Sequence, residues 1–528
     1  MSNHAYESAA ALRPSSNGPV PISTLSERFS LAPASAEDAA ALNDLSILGV
    51  SVDSGDTAPG ELFVGLPGFT VHGARFAAEA AASGAVAVLT DADGAQIVHE
   101  SAPGTPVLVH DDPRAVVGPL SAEAYHHPAR GLITTAVTGT NGKTTTAYFL
   151  DAILSAHVGA CMVAGTVELR VGERSVESPR TTVEAPVLQR MMALAVEDGV
   201  GAASLEASSH AIVLHRLDGI VVDVAGFTNL QRDHLDFHKT MEGYLEAKAQ
   251  LFTPEHARRG VVCVDDQWGA ALAAKAPIEI DRVRAYPGDT PADWWVGDAA
   301  VSLTDSATTF TLHGPDGEQI EASCPLPGLV NVQNAALALV MAIRAGVPAA
   351  TATAALAGAH NIPGRMQRIS QRDGRRGLCI VDFAHTPDAM ELALKAVRPI
   401  TPGRLIVVFG SDGDRDQGKR PMLGEVCARL ADVLVVTDEN PRSEDPQLIR
   451  NAILDGVRGV RPDLKNVEEI TTWRGDAVRR GVELCGPNDT VIVTGKGHEP
   501  FLEMAGEFIR YNDAPVMAEA VEKKWGRA

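Results

Sequence analysis

"LITTAVTGTNGKTTTAYFLDAILSAH", residues 132 to 157, decides how the chain folds. "LITTAV" reads as a buried strand, Gly139 and Gly142 interrupt it, and Phe149, Leu150, Ile153 and Leu154 then recur at helical spacing. A strand, a glycine turn and a helix in this order form a phosphate cradle. The glycines let the backbone turn tightly and aim amides at phosphate, Lys143 neutralises charge between the β and γ positions, and the Thr144 hydroxyl reaches Mg²⁺. The full Walker pattern has a glycine six residues before the lysine, where this chain has Val137. The loop predicts nucleotide binding and leaves the reaction open.

The same rhythm extends in both directions. "GAASLEAS" (201–208), "VVDVAGFTNL" (221–230) and "GVVCVDD" (260–266) predict further strands of a parallel, doubly wound sheet. Upstream, "LSILGVSV", "AVAVLT" and "PVLVH" surround an alanine-rich helix and predict a small α/β domain. "TLHGPDGEQIEASCPL" (311–326) reads as a hairpin turning at Pro315-Asp316-Gly317, and "NVQNAALALVMAIRAG" (331–346) as a helix. After "IPGRMQRI" the rhythm restarts in "GLCIVDFAH", "RLIVVFGSDGDRD", "DVLVVTDENPR" and "TVIVTGKGHE". Ligands of open α/β sheets bind beyond the carboxyl ends of strands, so these four segments are expected to converge on one site.

A length of 528 residues allows three or four domains at about 150 residues each. The formal charge of −22, from 45 Lys and Arg against 67 Asp and Glu, argues against nucleic acid or an anionic membrane as partner. Six scattered cysteines without a C-x-x-C pair suit buried thiols in a reducing compartment. No apolar run approaches the roughly 20 residues that span a bilayer. The first residues lack the basic and apolar regions of a signal peptide. The expectation is a cytoplasmic protein with small-molecule partners, no nucleic acid and no membrane insertion.

Glu206 and His234 each follow an apolar strand, so both could face the phosphates as Mg²⁺ ligands; a surface glutamate and a hydrogen-bonded histidine are the plain alternatives. Lys248 reads on composition as a helix-surface lysine.

"GTNGKTTT", "EASSHAI", "FTNLQRDHLDFH", "AKAQLF", "PGRMQRI", "VDFAHTPDAM", "DGDRDQGKRP", "TDENPRSEDP" and "TGKGHE", in this order, resemble the Mur ligase family of peptidoglycan synthesis, most nearly its MurE type. The resemblance runs from about Asp53 to Glu499. It implies an α/β fold of three domains: an N-terminal UDP-binding domain (31–126) after a disordered tail (1–30), a central P-loop-type ATPase (127–362), and a C-terminal Rossmann-like amino-acid domain (363–528). A monomer is expected.

The resemblance also implies roles for single residues. Gly139, Thr140, Asn141, Gly142, Lys143, Thr144 and Thr145 would hold ATP, with Asn331, Asn334, Arg365 and Asp382. Lys143, Glu206, His234 and Lys248 would be catalytic; Thr144, Glu206, His234 and Lys248, the last carbamylated to N6-carboxylysine, would hold Mg²⁺. Val52, Ser54, Phe69, Thr70, Val71, Thr181, Thr182, Ser208 and Arg216 would bind the UDP-MurNAc-dipeptide, although Gly55 stands where the family usually has arginine. Arg415, Glu439, Asn440, Pro441, Arg442, Gly495 and Glu499 would form the amino-acid pocket.

The implied reaction joins meso-diaminopimelate to the D-Glu γ-carboxylate of UDP-MurNAc-L-Ala-D-Glu through an acyl phosphate. Two arginines suit a substrate with two carboxylates. The family motif Asp-Asn-Pro-Arg reads Glu439-Asn440-Pro441-Arg442 here, one methylene longer, which leaves L-lysine or L-ornithine as alternatives. A folylpolyglutamate synthetase-like ligase would be expected to carry Gly-Lys-Gly-Ser at 142–145. A non-catalytic nucleotide-binding scaffold would not need Lys143, Glu206, His234 and Lys248 together.

Overall fold

The computed structural model describes residues 9–68, 70–302, 307–359 and 362–526. The chain divides into two compact units, Met1–Trp294 with Leu337–Ala355 and Trp295–Ala336 with Leu356–Ala528.

The first unit contains two mainly parallel sheets and a two-stranded antiparallel pair, Val20–Pro21 with Ser46–Ile47. In the smaller, strands Gly49–Ser51, Glu61–Val64, Ala87–Thr90 and Val107–Val109 run parallel, and Ala32–Pro33 adds antiparallel at the edge. In the larger, six parallel strands follow the order Cys161–Ala164, Ala202–Glu206, Ile133–Thr138, Val222–Phe227, Ala257–Cys263 and Glu279–Arg284. Ile133–Thr138 is central, so the loop that follows it leaves from the middle of the sheet's carboxyl edge. Gly142, at φ 91°, starts helix Lys143–Val158, and Gly159, also at φ 91°, ends it by donating to the Ser155 carbonyl. The helix buries Phe149, Leu150, Ile153 and Leu154 completely. Each contributes about 1.5–3 kcal/mol of apolar burial, enough to hold the phosphate loop at a fixed height above the sheet.

Residues 9 to 30 are ordered, unlike the expected tail. Val20, Ile22 and Leu25 enter the core, and Arg13 pairs with Glu61 and Asp56. Arg190, 1% exposed, donates to the Leu12 and Ala9 carbonyls and to Asp56. The polar composition of this segment conceals its anchors, because they are single apolar residues and one arginine whose partners lie far away in sequence. "LSILGVSV" likewise forms two short strands, Ser46–Ile47 and Gly49–Ser51, in different sheets.

In the second unit, Leu378–Val381, Thr490–Val493, Leu405–Phe409, Val433–Val436 and Val467–Glu469 form a parallel sheet edged by antiparallel Gln367–Ser370. Thr308–His313 and Gln319–Cys324 form the expected hairpin, joined by a 3₁₀ turn at Pro315–Gly317. The unit division does not fall at the expected boundary near 362. Arg368 donates to the Pro325 carbonyl and Gly328 lies against Ala396, so the segment before that boundary is attached to the second unit. The Arg474–Asp513 ion pair in this unit is fully buried. The same guanidinium donates to the carbonyls of Asp438 and Thr494.

Candidate active site

The phosphate loop is bent by two glycines at positive φ, Gly139 at 144° and Gly142 at 91°. A Cβ on Gly139 would lie 1.9 Å from Thr228 Oγ1, so the loop packs against the next strand end too closely for any side chain. Lys143 Nζ donates to the carbonyls of Gly139 (3.1 Å) and Thr140 (2.9 Å), which curls it back over the loop. Asn229 Oδ1 accepts from the Asn141 amide, and Asn141 Nδ2 donates to Gln231 Oε1 at 2.6 Å. "FTNLQ" therefore braces the loop, a part the motif reading left unassigned. Thr145 is buried beneath it.

Glu206 ends its strand one position beyond the loop and is 1% exposed, so it is not a surface residue. Its carboxylate accepts from Thr144 Oγ1 (3.0 Å), Thr166 Oγ1 (2.9 Å) and the Thr166 amide (2.8 Å). Thr166 has no motif around it and was not foreseen. Thr182 Oγ1 donates to the Glu206 carbonyl at 2.7 Å and accepts from the Ser208 amide; Arg216 donates to the Thr182 carbonyl. Thr181 Oγ1 accepts from Thr166 Oγ1 at 3.1 Å. The phosphate-loop threonine thus meets the Glu206 carboxylate, Thr182 meets the Glu206 backbone carbonyl, and Thr181 reaches the carboxylate only through Thr166.

Lys248 is 1% exposed, in contrast to a helix-surface lysine. Its Nζ donates to the Gly139 carbonyl at 2.8 Å and lies 4.5 Å from the Tyr244 ring centre. No carboxylate is within ion-pair distance of it among the described residues. Burial first, then the Lys143 charge, holds its ammonium well below the ordinary lysine range. His234 sits at φ 52°, 3.4 Å from Asp233 and edge-on to His210 at 4.8 Å.

Among the described residues no three His, Cys, Asp or Glu side chains group to hold a metal. Thr144 and Glu206 do offer two hard oxygens side by side. That sparse donor set fits Mg²⁺, which binds through one or two protein oxygens and completes its shell with phosphate and water.

A second cavity of the first unit, about 370 Å³, is lined by Val52, Asp53, Ser54, Val71, Phe76, Arg114, Arg180 and Glu184, among others. Ser54 Oγ donates to Glu79 at 2.8 Å. Thr70 is exposed, and Phe69 lies outside the described residues. Arg114, Arg180 and Arg216 all ion-pair with Glu184, and Arg114 and Arg180 line this cavity together with Asp53 and Ser54. A larger cavity, about 740 Å³, opens at the amino ends of the strands; its Arg258 and Arg259 are paired with Asp223 and Glu279.

In the second unit, Asn331 Nδ2 donates to the Pro327 carbonyl, while the buried Asn334 Oδ1 has no hydrogen-bond partner among the described residues. Asp382 accepts from the amides of Met366 (2.8 Å) and Ala384 (2.9 Å), and Arg365 stacks on Phe383 at 4.4 Å.

The four strand-end segments of this unit do converge. Asn440 Nδ2 donates to Asp412 and to Glu499, both at 3.1 Å, and its Oδ1 accepts from Lys496 Nζ at 2.8 Å. Lys419 Nζ donates to the His385 carbonyl. Glu439 is 2% exposed and its Oε2 has no hydrogen-bond partner among the described residues. Burial, then the nearby Asp412 and Glu499 charges, push its carboxyl up to about 8, against the pull of Arg474 and Lys419. Gly495, at φ 108°, makes room for it, since a Cβ there would lie 2.4 Å from Glu439 Oε2. The Pro441 carbonyl packs against Gly413. Arg442 approaches Asp412 at 3.8 Å. Arg415 is exposed and makes no ion pair among the described residues. Lys496, fully buried, was missed because it looks like part of a glycine turn.

Family comparison matches residues 46–125 to the Mur ligase family catalytic domain, 137–342 to the Mur ligase middle domain and 364–497 to the Mur ligase glutamate ligase domain. The chain belongs to the Mur ligase family. Members of this family are ATP-dependent, ADP-forming amide ligases, and this Mur ligase is one of them. A relative from Streptomyces coelicolor, UDP-N-acetylmuramoyl-L-alanyl-D-glutamate--2,6-diaminopimelate ligase, is 43% identical over 91% of this chain and 93% of its own. One from Leifsonia xyli, named UDP-N-acetylmuramyl-tripeptide synthetase, is 42% identical over 89% and 91%. A solved structure of a UDP-N-acetylmuramoyl-L-alanyl-D-glutamate--2,6-diaminopimelate ligase superposes with a TM-score of 0.64 at 32% identity, covering 91% of this chain and 95% of that one. The Thermotoga maritima MurF complex with ADP (TM-score 0.61, 18% identity; 90% and 97% covered) shares the fold. No helix among the described residues is long and apolar enough to cross a membrane.

Proposed function

We propose that this Mur ligase joins meso-diaminopimelate to the D-Glu γ-carboxylate of UDP-MurNAc-L-Ala-D-Glu, as a cytoplasmic monomer making a peptidoglycan precursor. The observation that carries the reading is the Thr144–Glu206–Thr182 chain of hydrogen bonds, which joins the phosphate loop to the residues assigned to the acid substrate. The names of the relatives support the amine.

In the reaction the γ-carboxylate attacks the γ-phosphorus of ATP, ADP departs, and an acyl phosphate forms. The amine then attacks the acyl carbon and phosphate leaves. Both steps gather negative charge, and Lys143 with the amides at the start of helix Lys143–Val158 meets it. Thr144 would hold one Mg²⁺ at the phosphate loop, and Glu206 and His234 a second, with carbamylated Lys248 helping to hold Mg²⁺. The metal supplies charge neutralisation between carboxylate and triphosphate. The burial of Lys248, with no ion pair to a carboxylate among the described residues, supports its modification, which would turn a cation into an anionic ligand. Thr181, Thr182, Ser208 and Arg216 orient the dipeptide, and the cavity around Val52, Ser54 and Val71, with Phe69 and Thr70 in the same segment, takes the uridine end. Asn331, Asn334, Arg365 and Asp382 are the ATP contacts proposed within the second unit. Arg415, Glu439, Asn440, Pro441, Arg442, Gly495 and Glu499 receive the amino acid.

The domain roles follow: residues 31–126 for UDP, 127–362 for ATP and 363–528 for the amine. Glu439 favours a second reading, in which its longer, buried carboxyl reshapes the pocket for L-lysine or L-ornithine. The test is phosphate release with ATP, UDP-MurNAc-L-Ala-D-Glu and each amine in turn. Turnover with diaminopimelate alone is expected; turnover with lysine or ornithine alone would replace the proposed amine.

A further inference from the structure

Arg442 is held by a hairpin that none of the sequence motifs includes. Strands Phe501–Met504 and Glu507–Arg510 pair antiparallel, and the hairpin grips the backbone of Arg442 from both sides. The Arg442 amide donates to the Glu503 carbonyl at 3.0 Å, and the Ala505 amide donates to the Arg442 carbonyl at 2.7 Å. These bonds fix Arg442 at φ 54°, a left-handed conformation that a side-chain-bearing residue keeps only when its surroundings impose it. The side chain is held as well. Its Nε lies 3.1 Å from Glu503 Oε2 and Nη1 donates to the Gly413 carbonyl at 3.4 Å, while Nη2 remains 3.8 Å from Asp412. Glu503 is fixed in turn, because its amide donates to Asn440 Oδ1 at 3.2 Å.

A free arginine samples many rotamers, and each must be given up when a carboxylate binds bidentately. The Glu503 carboxylate, 3.1 Å from Nε as an ion pair without hydrogen-bond alignment, and the Gly413 carbonyl on Nη1 restrict those rotamers in advance. We infer that Glu503 is a positioning residue for the amine substrate: its carboxylate aims the Arg442 guanidinium at the distal carboxylate of the diamino acid. The inference rests on the reading of Arg442 as that carboxylate's partner. Glu503 touches no reacting atom, so it sets which amine is held and leaves the rate of the bound complex alone.

The experiment is steady-state kinetics of the full-length enzyme carrying Glu503→Ala or Glu503→Gln, with diaminopimelate varied and ATP varied separately. Glu503→Ala raises KM for diaminopimelate roughly three- to tenfold, with kcat and KM for ATP kept. Glu503→Gln, which preserves size and one acceptor oxygen, recovers part of the loss. Arg442→Ala in the Glu503→Ala background adds less than it does alone. An unchanged KM in both Glu503 variants, while Arg442→Ala still raises it, overturns the inference and leaves the amine reading standing. A wild-type enzyme that does not use diaminopimelate overturns both.

Discussion

The hydroxyl of Thr144, in the first turn of the phosphate-loop helix, donates to the carboxylate of Glu206 across 3.0 Å, joining two adjacent strand ends through one buried bond. The proposed function uses these two hard oxygens where a nucleotide's outer phosphates would meet the acid substrate. Glu206→Gln is expected to lower kcat on the order of a hundredfold, because the amide keeps the shape but not the charge. Phosphate release under saturating substrates measures it, and a drop in thermal stability without a drop in kcat would contradict the role.

Lys143→Ala should abolish turnover, a loss on the order of a thousandfold or more, since Lys143 reaches both the Gly139 and Thr140 carbonyls from the helix start, whereas the buried Lys248 reaches the Gly139 carbonyl from another helix. Normal phosphate release from the variant would refute the assignment of this loop.

Arg442→Ala should raise KM for diaminopimelate at least about tenfold, the scale of one charge-assisted pair, and leave KM for ATP unchanged. An unaltered KM for the amine would remove Arg442 from the pocket.

Glu439 provides a pH signature. Its carboxyl, pushed up to about 8 by burial and by Asp412 and Glu499, is protonated at neutral pH and becomes an anion as pH rises through 8. An anion holds the substrate ammonium more strongly than a neutral acid does, so KM for the diamine falls between pH 7 and 9. Glu439→Gln should flatten that profile. A wild-type profile that is already flat would count against the buried acid as an amine contact.

The central sheet, the phosphate loop and the convergence of four strand ends were legible in the sequence. Each depends on local periodicity and on glycines set beside polar residues. The anchoring of Arg13 and Arg190 to Asp56 was not legible, because contacts across 43 and 134 residues leave no local pattern. Thr166 and Glu503 were missed for the same reason: neither belongs to a motif, and each matters only through the residue it holds. The burial of Lys248 was hidden by its charge, since a lysine among helix formers looks solvated until the strand end above it is known.

The Arg474–Asp513 pair gives the last helix, Asp513–Trp525, a task remote from its own surface. Deleting that helix would strand a guanidinium in the protein's interior while it still held the carbonyls of Asp438 and Thr494, and with them the two loops that border the amine pocket. A nonsense mutation or protease cut just before Asp513 would therefore disturb amine selection from afar.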